Sequence, residues 1–324
     1  MTKYQRLLFY NLLWKRRGFD VRFSMFDIRF SMFGLSRTSN IEPLISKIEP
    51  QTSNPEHRIP NIESRTSNIE TMHIYGLIGF PLGHSFSKGY FTEKFEKMGL
   101  SNTHVYEKFE LENINDFPAL LKAQSPNLRG LNVTIPHKQN VIPFLDAVDE
   151  AALKIGAVNT IKIMEDGTTK GFNTDYWGFR WTLEQWTDFQ EIKPKKALIL
   201  GKGGAAKAII QALQDLGLET QYVSRKKEED TLTYDELTEK VMQEHLFIVN
   251  TTPLGMFPKV DSFPEIPYNL LTDKHLLYDI IYNPLETMFL KKGLEHKVKA
   301  IHFGLEMLHG QAEKAWEIWE NGSR

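Results

Sequence analysis

One short stretch constrains this chain more than any other: Gly201-Lys202-Gly203-Gly204-Ala205-Ala206. It follows the apolar run Ala197–Leu200 and opens a segment with helical apolar spacing, Gly204–Leu216. A strand, a glycine turn and a helix in that order form the G-x-G-x-x-A variant of the dinucleotide fingerprint. Gly201 permits the tight turn, Gly203 lets the backbone approach a pyrophosphate, and small Ala206 allows close helix–strand packing. Gly204 and Ala205 complete the loop at the positive end of the helix, where an anion is favoured. The alternative is a glycine turn with a structural role only.

The rest of the chain beyond residue 71 suits such a turn. His73–Gly79, Val105–Phe109, Gly130–Ile135 and Val158–Met164 read as strands. Ser87–Gly99 and Ile114–Lys122 read as helices, and two more helices are expected before Val158. Asp166-Gly167 predicts a hairpin turn. A second series follows, with strands at Ala197–Leu200, Thr220–Ser224, Phe247–Asn250, Leu276–Asp279 and Lys299–Ile301. Helices are expected at Leu285–Lys292 and, as an amphipathic close, from Leu305 to Glu320. Strands alternating with helices predict parallel sheets. Two series in 324 residues predict two α/β domains with a ligand cleft between them.

Residues 1–71 do not share this pattern. Arg-Phe-Ser-Met-Phe occurs at 22–26 and 29–33, and Arg-Thr-Ser-Asn-Ile-Glu at 37–42 and 65–70. Repeats this short do not match solenoid families, whose periods run from about 20 to about 50 residues. The segment holds 11 Lys+Arg against 7 Asp+Glu, whereas the remainder holds 28 against 34. It reads as a low-complexity, disordered extension, with Met72 as a candidate natural start. Leu7–Leu13 is followed by Lys15-Arg16-Arg17 rather than small residues, which argues against a signal peptide.

Composition narrows the chemistry. The chain contains no cysteine, which excludes a disulfide scaffold, a thiolate zinc site and a cysteine nucleophile. A formal net charge of −2 gives no reason to expect nucleic acid, and no apolar run is long enough to suggest a membrane span. A cytoplasmic location fits a chain without thiols. No cluster of His and acids stands at metal-ligand spacing, and His302 and His309 read as surface or supporting groups.

The end of the strand after the glycine loop bears on the cofactor. An acid there would bind a ribose 2′-hydroxyl and favour NAD. Ser224-Arg225-Lys226-Lys227 stands there instead, so a 2′-phosphate and NADP(H) are favoured over a merely solvated basic loop. In the first series, polar residues gather at strand ends. Ser85 and Ser87 precede or open a helix, where hydroxyls can hold a carboxylate, although Ser87 alone reads as an N-cap. Asn132-Val133-Thr134-Ile135-Pro136-His137-Lys138 ends a strand and leaves Lys138 at an expected helix start, where the helix dipole opposes a cation. Gly156–Thr160 and Asn173-Thr174-Asp175 add further polar groups.

Together these segments resemble the shikimate dehydrogenase family. His84–Ser87 is similar to its H-S-x-S, Asn132–Lys138 to N-V-T-x-P-x-K, Gly156–Thr160 to G-A-V-N-T and Asn173–Asp175 to N-T-D. Gly201–Ala206 is similar to its nucleotide loop and Asn250–Pro253 to its N-x-T-P/S stretch. Asp279–Tyr282 resembles D-x-x-Y, and Gly304–Gln311 resembles G-x-x-M-L-x-x-Q. The order and spacing run from Met72 to the C-terminus. The resemblance implies a discontinuous substrate domain, 72–174 plus 303–324, and a Rossmann-like NADP-binding domain, 175–302. It implies reversible reduction of 3-dehydroshikimate to shikimate by NADPH. Carried over, Ser85, Ser87 and Tyr282 hold the substrate carboxylate. Thr134, Asn159, Asp175 and Gln311 hold ring hydroxyls, and Lys138 with Asp175 is the catalytic pair. Thr251 and Gly304 join the glycine loop and Ser224–Lys226 on the cofactor. The enzyme would act as a monomer or homodimer on this small molecule.

Five positions depart from the family's usual residues. Tyr176 follows Asp175 where Gly is common, Glu306 and His309 replace small or apolar residues, Lys88 stands where Pro is common, and Lys202 adds a cation inside the glycine turn. Two other readings are a quinate/shikimate dehydrogenase using NAD, against which Arg225 argues, and a catalytically silent NADP-binding regulator, against which Lys138 and Asp175 argue.

Overall fold

Continuous apolar runs such as Ala197–Leu200 and Phe247–Asn250 become fully buried strands, as expected where helices cover both faces of a parallel sheet. The computed structural model describes residues 72–83 and 85–320. The expected disordered extension, 1–71, and His84 lie outside the described residues. Both sheets fall within one unit of the chain, residues 67–324.

The first sheet contains β1 (His73–Gly79), β2 (His104–Glu110), β3 (Leu128–Val133), β4 (Ala147–Val148), β5 (Thr160–Ile163) and β6 (Thr169–Phe172). Their order is β2-β1-β3-β5-β6-β4. Strand β5 is antiparallel to both neighbours, while β2-β1-β3 and β6-β4 pair in parallel. The sheet is thus mainly parallel, with the antiparallel pairing placed where a hairpin was expected. The hairpin expected at Asp166-Gly167 is a three-residue loop, Glu165–Gly167, closed by Gly167 N donating to Met164 O at 2.9 Å and Met164 N to Thr168 O at 2.8 Å; Gly167 takes its left-handed position at φ 85°, and β6 reverses β5. The second sheet contains β7 (Lys196–Leu200), β8 (Glu219–Val223), β9 (Thr231–Leu232), β10 (Phe247–Asn250), β11 (Leu276–Asp279) and β12 (Ala300–Phe303). It is parallel throughout, in the order β12-β11-β10-β7-β8-β9. That is the doubly wound order of dinucleotide-binding sheets, with its switch point between β7 and β10.

Helix ends follow local chemistry. Helix α1 (Phe86–Lys97) is capped by Ser85, whose Oγ accepts from Lys88 N at 3.4 Å; Gly99, at φ 72°, follows its end. Ser85, not Ser87, is thus the cap. Ile114–Asp116 is a 3-10 turn that leads into α2 (Phe117–Gln124), where Pro118 suits the first turn. Between β3 and β5 only α3 (Glu150–Ile155) is α-helical; Ile142–Phe144 is a 3-10 turn and residues 135–141 are turn. Two helices were expected there, and Lys138 does not open one. Helix α4 (Thr174–Gln185) starts at Asn173, whose Oδ1 accepts from Tyr176 N at 3.1 Å; α5 (Thr187–Ile192) follows. Helix α6 (Gly204–Asp215) buries Ala206, Ala208, Ile209, Ala212 and Leu213 on one face. Helices α7 (Glu239–Glu244), α8 (Met288–Glu295) and α9 (Leu305–Glu320) complete the described chain.

Helix α9 leaves the second sheet at β12 and packs on the first. Trp319 Nε1 donates to Ile161 O at 3.0 Å, and Lys162 Nζ donates to Ile318 O at 2.9 Å. Ala312, Ala315, Trp316 and Trp319 bury themselves against Tyr75, Phe91, Phe95 and Tyr106. Each large apolar side chain buried there contributes roughly 1.5–3 kcal/mol. On its way α9 crosses α4 at very short range. A Cβ on Gly178 would stand 2.5 Å from Met307 O and 2.9 Å from Gln311 N, and one on Gly310 would stand 3.3 Å from Gly178 Cα.

The loops after β10 and β11 are tied by one buried carboxylate. Asn250 Nδ2 donates to both Asp279 oxygens at 3.1 Å, Thr287 Oγ1 donates at 2.6 Å, and Ile281 N at 3.0 Å. Burial nevertheless pushes the Asp279 carboxyl up to about 6, against the downward pull of those donors.

Two outcomes follow from this packing. Gly178→Ala lowers stability by about 1–3 kcal/mol, because the clash with helix backbone outweighs the ~1 kcal/mol helix-propensity gain of Ala; thermal unfolding reads it as a fall in Tm. For Asp279 the folded state holds its proton more tightly than the unfolded chain, whose value is the ordinary 3.8. Its contribution is full below that value and is lost as pH rises through about 6. The stability deficit of Asp279→Asn relative to the parent should therefore shrink by about 3 kcal/mol across that window in denaturant titrations. A deficit independent of pH would show that Asp279 does not titrate there.

Candidate active site

The reversed strand β5 sets the geometry of the polar cluster. Because it runs against β3 and β6, its first residues lie beside the carboxyl ends of both. Val133 N donates to Asn159 O at 2.8 Å, and Asn159 N donates to Phe172 O at 3.0 Å. The segments after β1, β3 and β6 and before β5 thus meet at one edge of the first sheet. Phe80 N donates to Ile135 O at 3.1 Å and Thr134 N to Ile78 O at 2.9 Å, which joins the loops after β1 and β3.

Lys138 and Asp175 are brought together. Lys138 sits in the turn after β3, where Val158 N donates to its carbonyl at 2.7 Å. Asp175 lies in the first turn of α4. Lys138 Nζ donates to Asp175 Oδ2 at 2.6 Å, with both side chains largely sheltered from solvent at 19% and 13% exposure. An ideal Cβ on Gly204 would stand 3.8 Å from Lys138 Cδ, so the lysine stem reaches the first residue of α6. Lys207 Nζ on α6 also donates to Gln139 Oε1 at 3.2 Å. These contacts set the ion pair beside the start of the helix that follows the glycine loop.

Behind the pair lies a buried amide network. Asn159 Oδ1 accepts from Thr174 N at 2.7 Å and from Thr160 Oγ1 and Thr174 Oγ1, both at 3.2 Å. Its Nδ2 has no partner among the described residues and remains a donor. Thr174 Oγ1 lies 3.5 Å from Gln311 Oε1, and Gln311 Nε2 donates to Leu308 O at 2.9 Å. Thr134 is half-buried at the end of β3 with its hydroxyl unbonded among the described residues. Thr134, Asn159, Asp175 and Gln311 therefore all belong to this strand-end cluster.

Ser85, Ser87 and Tyr282 form a second group. The two serines flank Phe86 at the start of α1, whose first turn carries no acid. Tyr282 follows β11 and packs on Phe86, ring centroids 6.0 Å apart. The Ser85 hydroxyl accepts a cap bond and keeps its own proton to donate.

On the second sheet, Gly201 has φ 101°, and a Cβ there would stand 2.9 Å from Thr252 Cγ2 and 3.1 Å from Thr251 Oγ1. Thr251 Oγ1 donates to Leu200 O at 2.7 Å across the switch point. Gly203 caps α6 and a Cβ on it would meet open space, whereas Ala206 is fully buried. Backbone can thus be approached at Gly203, as a pyrophosphate requires. Ser224 Oγ accepts from Lys226 N at 3.3 Å. Arg225 and Lys226 are exposed and have no ion-pair partner among the described residues, while Lys227 binds Glu236 at 2.7 Å. Lys202 is held by Glu228 and by Thr231 Oγ1 at 3.2 Å, and lies 5.3 Å from the Tyr222 ring centroid. The cation it adds to the glycine turn is thus held by partners on the β8–β9 side. Gly304 serves a close backbone approach, since a Cβ there would stand 2.0 Å from Ile280 O.

Other groups near these sites take places that the sequence did not assign to them. The Tyr106 hydroxyl donates to Asn132 Oδ1 at 2.7 Å and lies beside Ser87, and Asn132 Nδ2 donates to Thr160 Oγ1 at 3.4 Å. Tyr106 reads as a core strand residue, and only Asn132 carried a motif signal. Tyr176, the departure after Asp175, donates to Asp215 Oδ2 at 2.7 Å and accepts from Arg180 Nη1 at 3.0 Å. His302 is not a surface group: it is buried, stacked on Tyr278 at 5.0 Å and 3.5 Å from Glu306. A hollow of about 630 Å³ lined by Glu112, Asn113, Asp116, His137 and Asn140 contains none of the residues assigned above. Among the described residues no group of His, Asp and Glu could hold a metal ion, and no helix is long and apolar enough to cross a membrane.

Residues 77–161 match the family model of the shikimate dehydrogenase substrate binding domain. A shikimate dehydrogenase (NADP(+)) of Clostridium beijerinckii is 42% identical over 77% of this chain and 92% of its own length. The structure of Thermus thermophilus shikimate 5-dehydrogenase in complex with NADP(H) and shikimate superposes with a TM-score of 0.64 at 30% identity, covering 77% of this chain and 94% of that one. Quinate dehydrogenase of Corynebacterium glutamicum in complex with NAD superposes with a TM-score of 0.68 at 27% identity, covering 77% and 94%.

Proposed function

The chain belongs to the shikimate dehydrogenase family, and from that premise we propose how its own residues carry out the reversible, NADPH-dependent reduction of 3-dehydroshikimate to shikimate, a step of aromatic amino-acid biosynthesis. The observation that carries the reading is the 2.6 Å Lys138–Asp175 pair set against Gly204. There the polar edge of the first sheet meets the start of the helix that follows the nucleotide loop of the second, beside the contact of Lys207 Nζ with Gln139 Oε1.

When bound, NADPH supplies the hydride. Everything else falls to the chain. A ring ketone under reduction gathers negative charge on its oxygen, and Lys138 Nζ holds a proton where it can stabilise and then protonate that oxygen. Asp175 accepts from Nζ and so aims it. In the reverse direction the same nitrogen takes the hydroxyl proton. Thr134, Asn159 and Gln311 hold ring hydroxyls; the free Asn159 Nδ2 suits that role because Oδ1 is already consumed. Ser85, Ser87 and Tyr282 hold the carboxylate with neutral donors at the start of α1.

The residues present fit the cofactor. Gly201, Gly203, Gly204, Ala205 and Ala206 would receive the pyrophosphate, with Gly203 opening onto free space. Ser224, Arg225 and Lys226 would take the 2′-phosphate, and the absence of ion-pair partners for the two cations among the described residues leaves their charge available. Thr251 and Gly304 would border the nicotinamide half from the switch-point side. We assign residues 72–174 and 303–324 to substrate and 175–302 to the nucleotide, a division supported by the two sheets and by the return of α9. We further infer that the enzyme acts as a monomer or a homodimer, and a chain without cysteine suits the cytoplasm.

The direct test is nicotinamide absorbance with shikimate and with quinate, each offered NADP and NAD. Reduction with shikimate and NADP supports the reading; preference for quinate or NAD moves it to the quinate dehydrogenases, and silence in a sample that binds NADPH moves it to a regulator. Lys138→Ala should lower kcat by about 10²–10⁴-fold, the usual worth of a positioned general acid, with NADPH affinity little changed. An equal loss of NADPH affinity would overturn its role. Arg225→Ala should reduce the preference for NADPH over NADH by about tenfold or more, the worth of one charged hydrogen bond. An unchanged preference would remove the 2′-phosphate argument.

A further inference from the structure

Phe86 is half-buried between two serines, yet three rings converge on it. Tyr90, one turn along α1, stacks at 5.4 Å and 25°. His309 of α9 meets it edge-on at 5.3 Å and 84°. Tyr282, from the loop after β11, lies at 6.0 Å. Tyr90 and His309 also touch each other, at 5.4 Å and 72°. Such ring pairs are worth roughly 0.5–1.5 kcal/mol each beyond the area they bury.

The base of this cage is rigid. The Tyr90 hydroxyl donates to Glu313, and Lys94 Nζ binds the same carboxylate at 2.7 and 2.9 Å. Glu313 lies one turn beyond His309 on α9, so α1 and α9 are locked side by side beneath Phe86. The third ring has a different origin. Tyr282 belongs to the second-sheet side, on a loop whose start is pinned by Ile281 N donating to Asp279 at 3.0 Å. Tyr282 is 38% exposed, and Phe86 is the one aromatic ring it meets among the described residues.

We propose that Phe86 is a positioning residue for carboxylate recognition: its caged ring seats Tyr282 over Ser85 and Ser87, so that hydroxyls from both sides converge on one anion. This rests on the proposed carboxylate role of Ser85, Ser87 and Tyr282. Phe86 contributes no polar atom. It acts by fixing the peptide between the serines and by giving Tyr282 a surface to rest on. His309, where the family usually has an apolar residue, closes the cage from α9.

The test compares kcat/KM for shikimate and for its methyl ester, which keeps the ring hydroxyls and loses the charge. Phe86→Ala should lower the acid-to-ester ratio by about tenfold, the order of one misplaced hydrogen bond to a charged group, through KM for shikimate rather than KM for NADP. Phe86→Tyr, which keeps the ring, should restore the ratio. His309→Val should lower it less than Phe86→Ala, and supplies a second variant should Phe86→Ala fold poorly. Equal losses on acid and ester would mean a structural role only and would overturn the proposal. Ser87→Ala and Tyr282→Phe separate the two levels: if neither changes the ratio, the carboxylate assignment itself fails, and if they do while Phe86→Ala and His309→Val do not, only the role of Phe86 fails.

Discussion

The close crossing of α4 and α9 is the constraint on which the site depends. At Gly178 the α9 backbone comes so near that no side chain can intervene, and Gly310 repeats the condition from the other helix. With that contact, Gln311 lies beside Thr174 and Asp175 stands at the head of a helix whose position is set. A wider crossing would move Gln311, the Asn159 network and the ion pair apart together. The Trp319 bond to Ile161 and the burial of Trp316 hold the far end of α9 on the first sheet. A helix that begins after the last strand of one sheet therefore completes the polar edge of the other.

Strand reversal supplies the second element of the design. A parallel β5 would present its last residues at this edge and send Asn159 to the opposite one. Running antiparallel, it starts where β3 and β6 end, and Asn159 can span them with both backbone groups and its Oδ1. The loop at Glu165–Gly167 is the local cause of the β5–β6 reversal, and the long connection from β3 sets β5 against β3; the meeting of the strand ends beside Asn159 follows from both. Lys138 then lies between its carboxylate partner and Gly204 with its charge compensated and its stem packed, as the proposed proton donor would need.

The second sheet shows how strand order makes a binding crevice. The order in which strands are added reverses between β7 and β10, although both run in the same direction, and the segments leaving those strands diverge above the sheet. Thr251 bridges them through Leu200 O, and Asp279 ties the neighbouring loops through Asn250, Thr287 and Ile281. The glycine loop keeps Gly203 open while Gly201 and Gly304 take up close backbone contacts. Three glycines of one binding region thus meet three different demands: a left-handed turn, free approach, and tight passage past a neighbouring strand end.

Much was legible along the chain because it depends on neighbours in sequence. The apolar runs of β7, β10 and β11, the glycine loop before α6, the hairpin turn and the full length of α9 are set by local periodicity and backbone preference. The motifs likewise named Lys138, Asp175, Asn159 and Gln311. What local pattern could not decide involved partners distant in sequence. The cap of α1 is Ser85 because backbone geometry there, not residue type, chooses between two serines. The chain after β3 stays a turn because it must carry Lys138 back to Val158 and Asp175, and the expected helix would turn it away. Lys202 is turned to Glu228, His302 is buried against Tyr278, and Phe86 is enclosed by rings from α9 and from the loop after β11. Sequence by itself determined which residues are candidates for the chemistry and which segments fold; tertiary structure alone decided which of them meet, because helix crossing distance and strand direction depend on contacts that no local window contains.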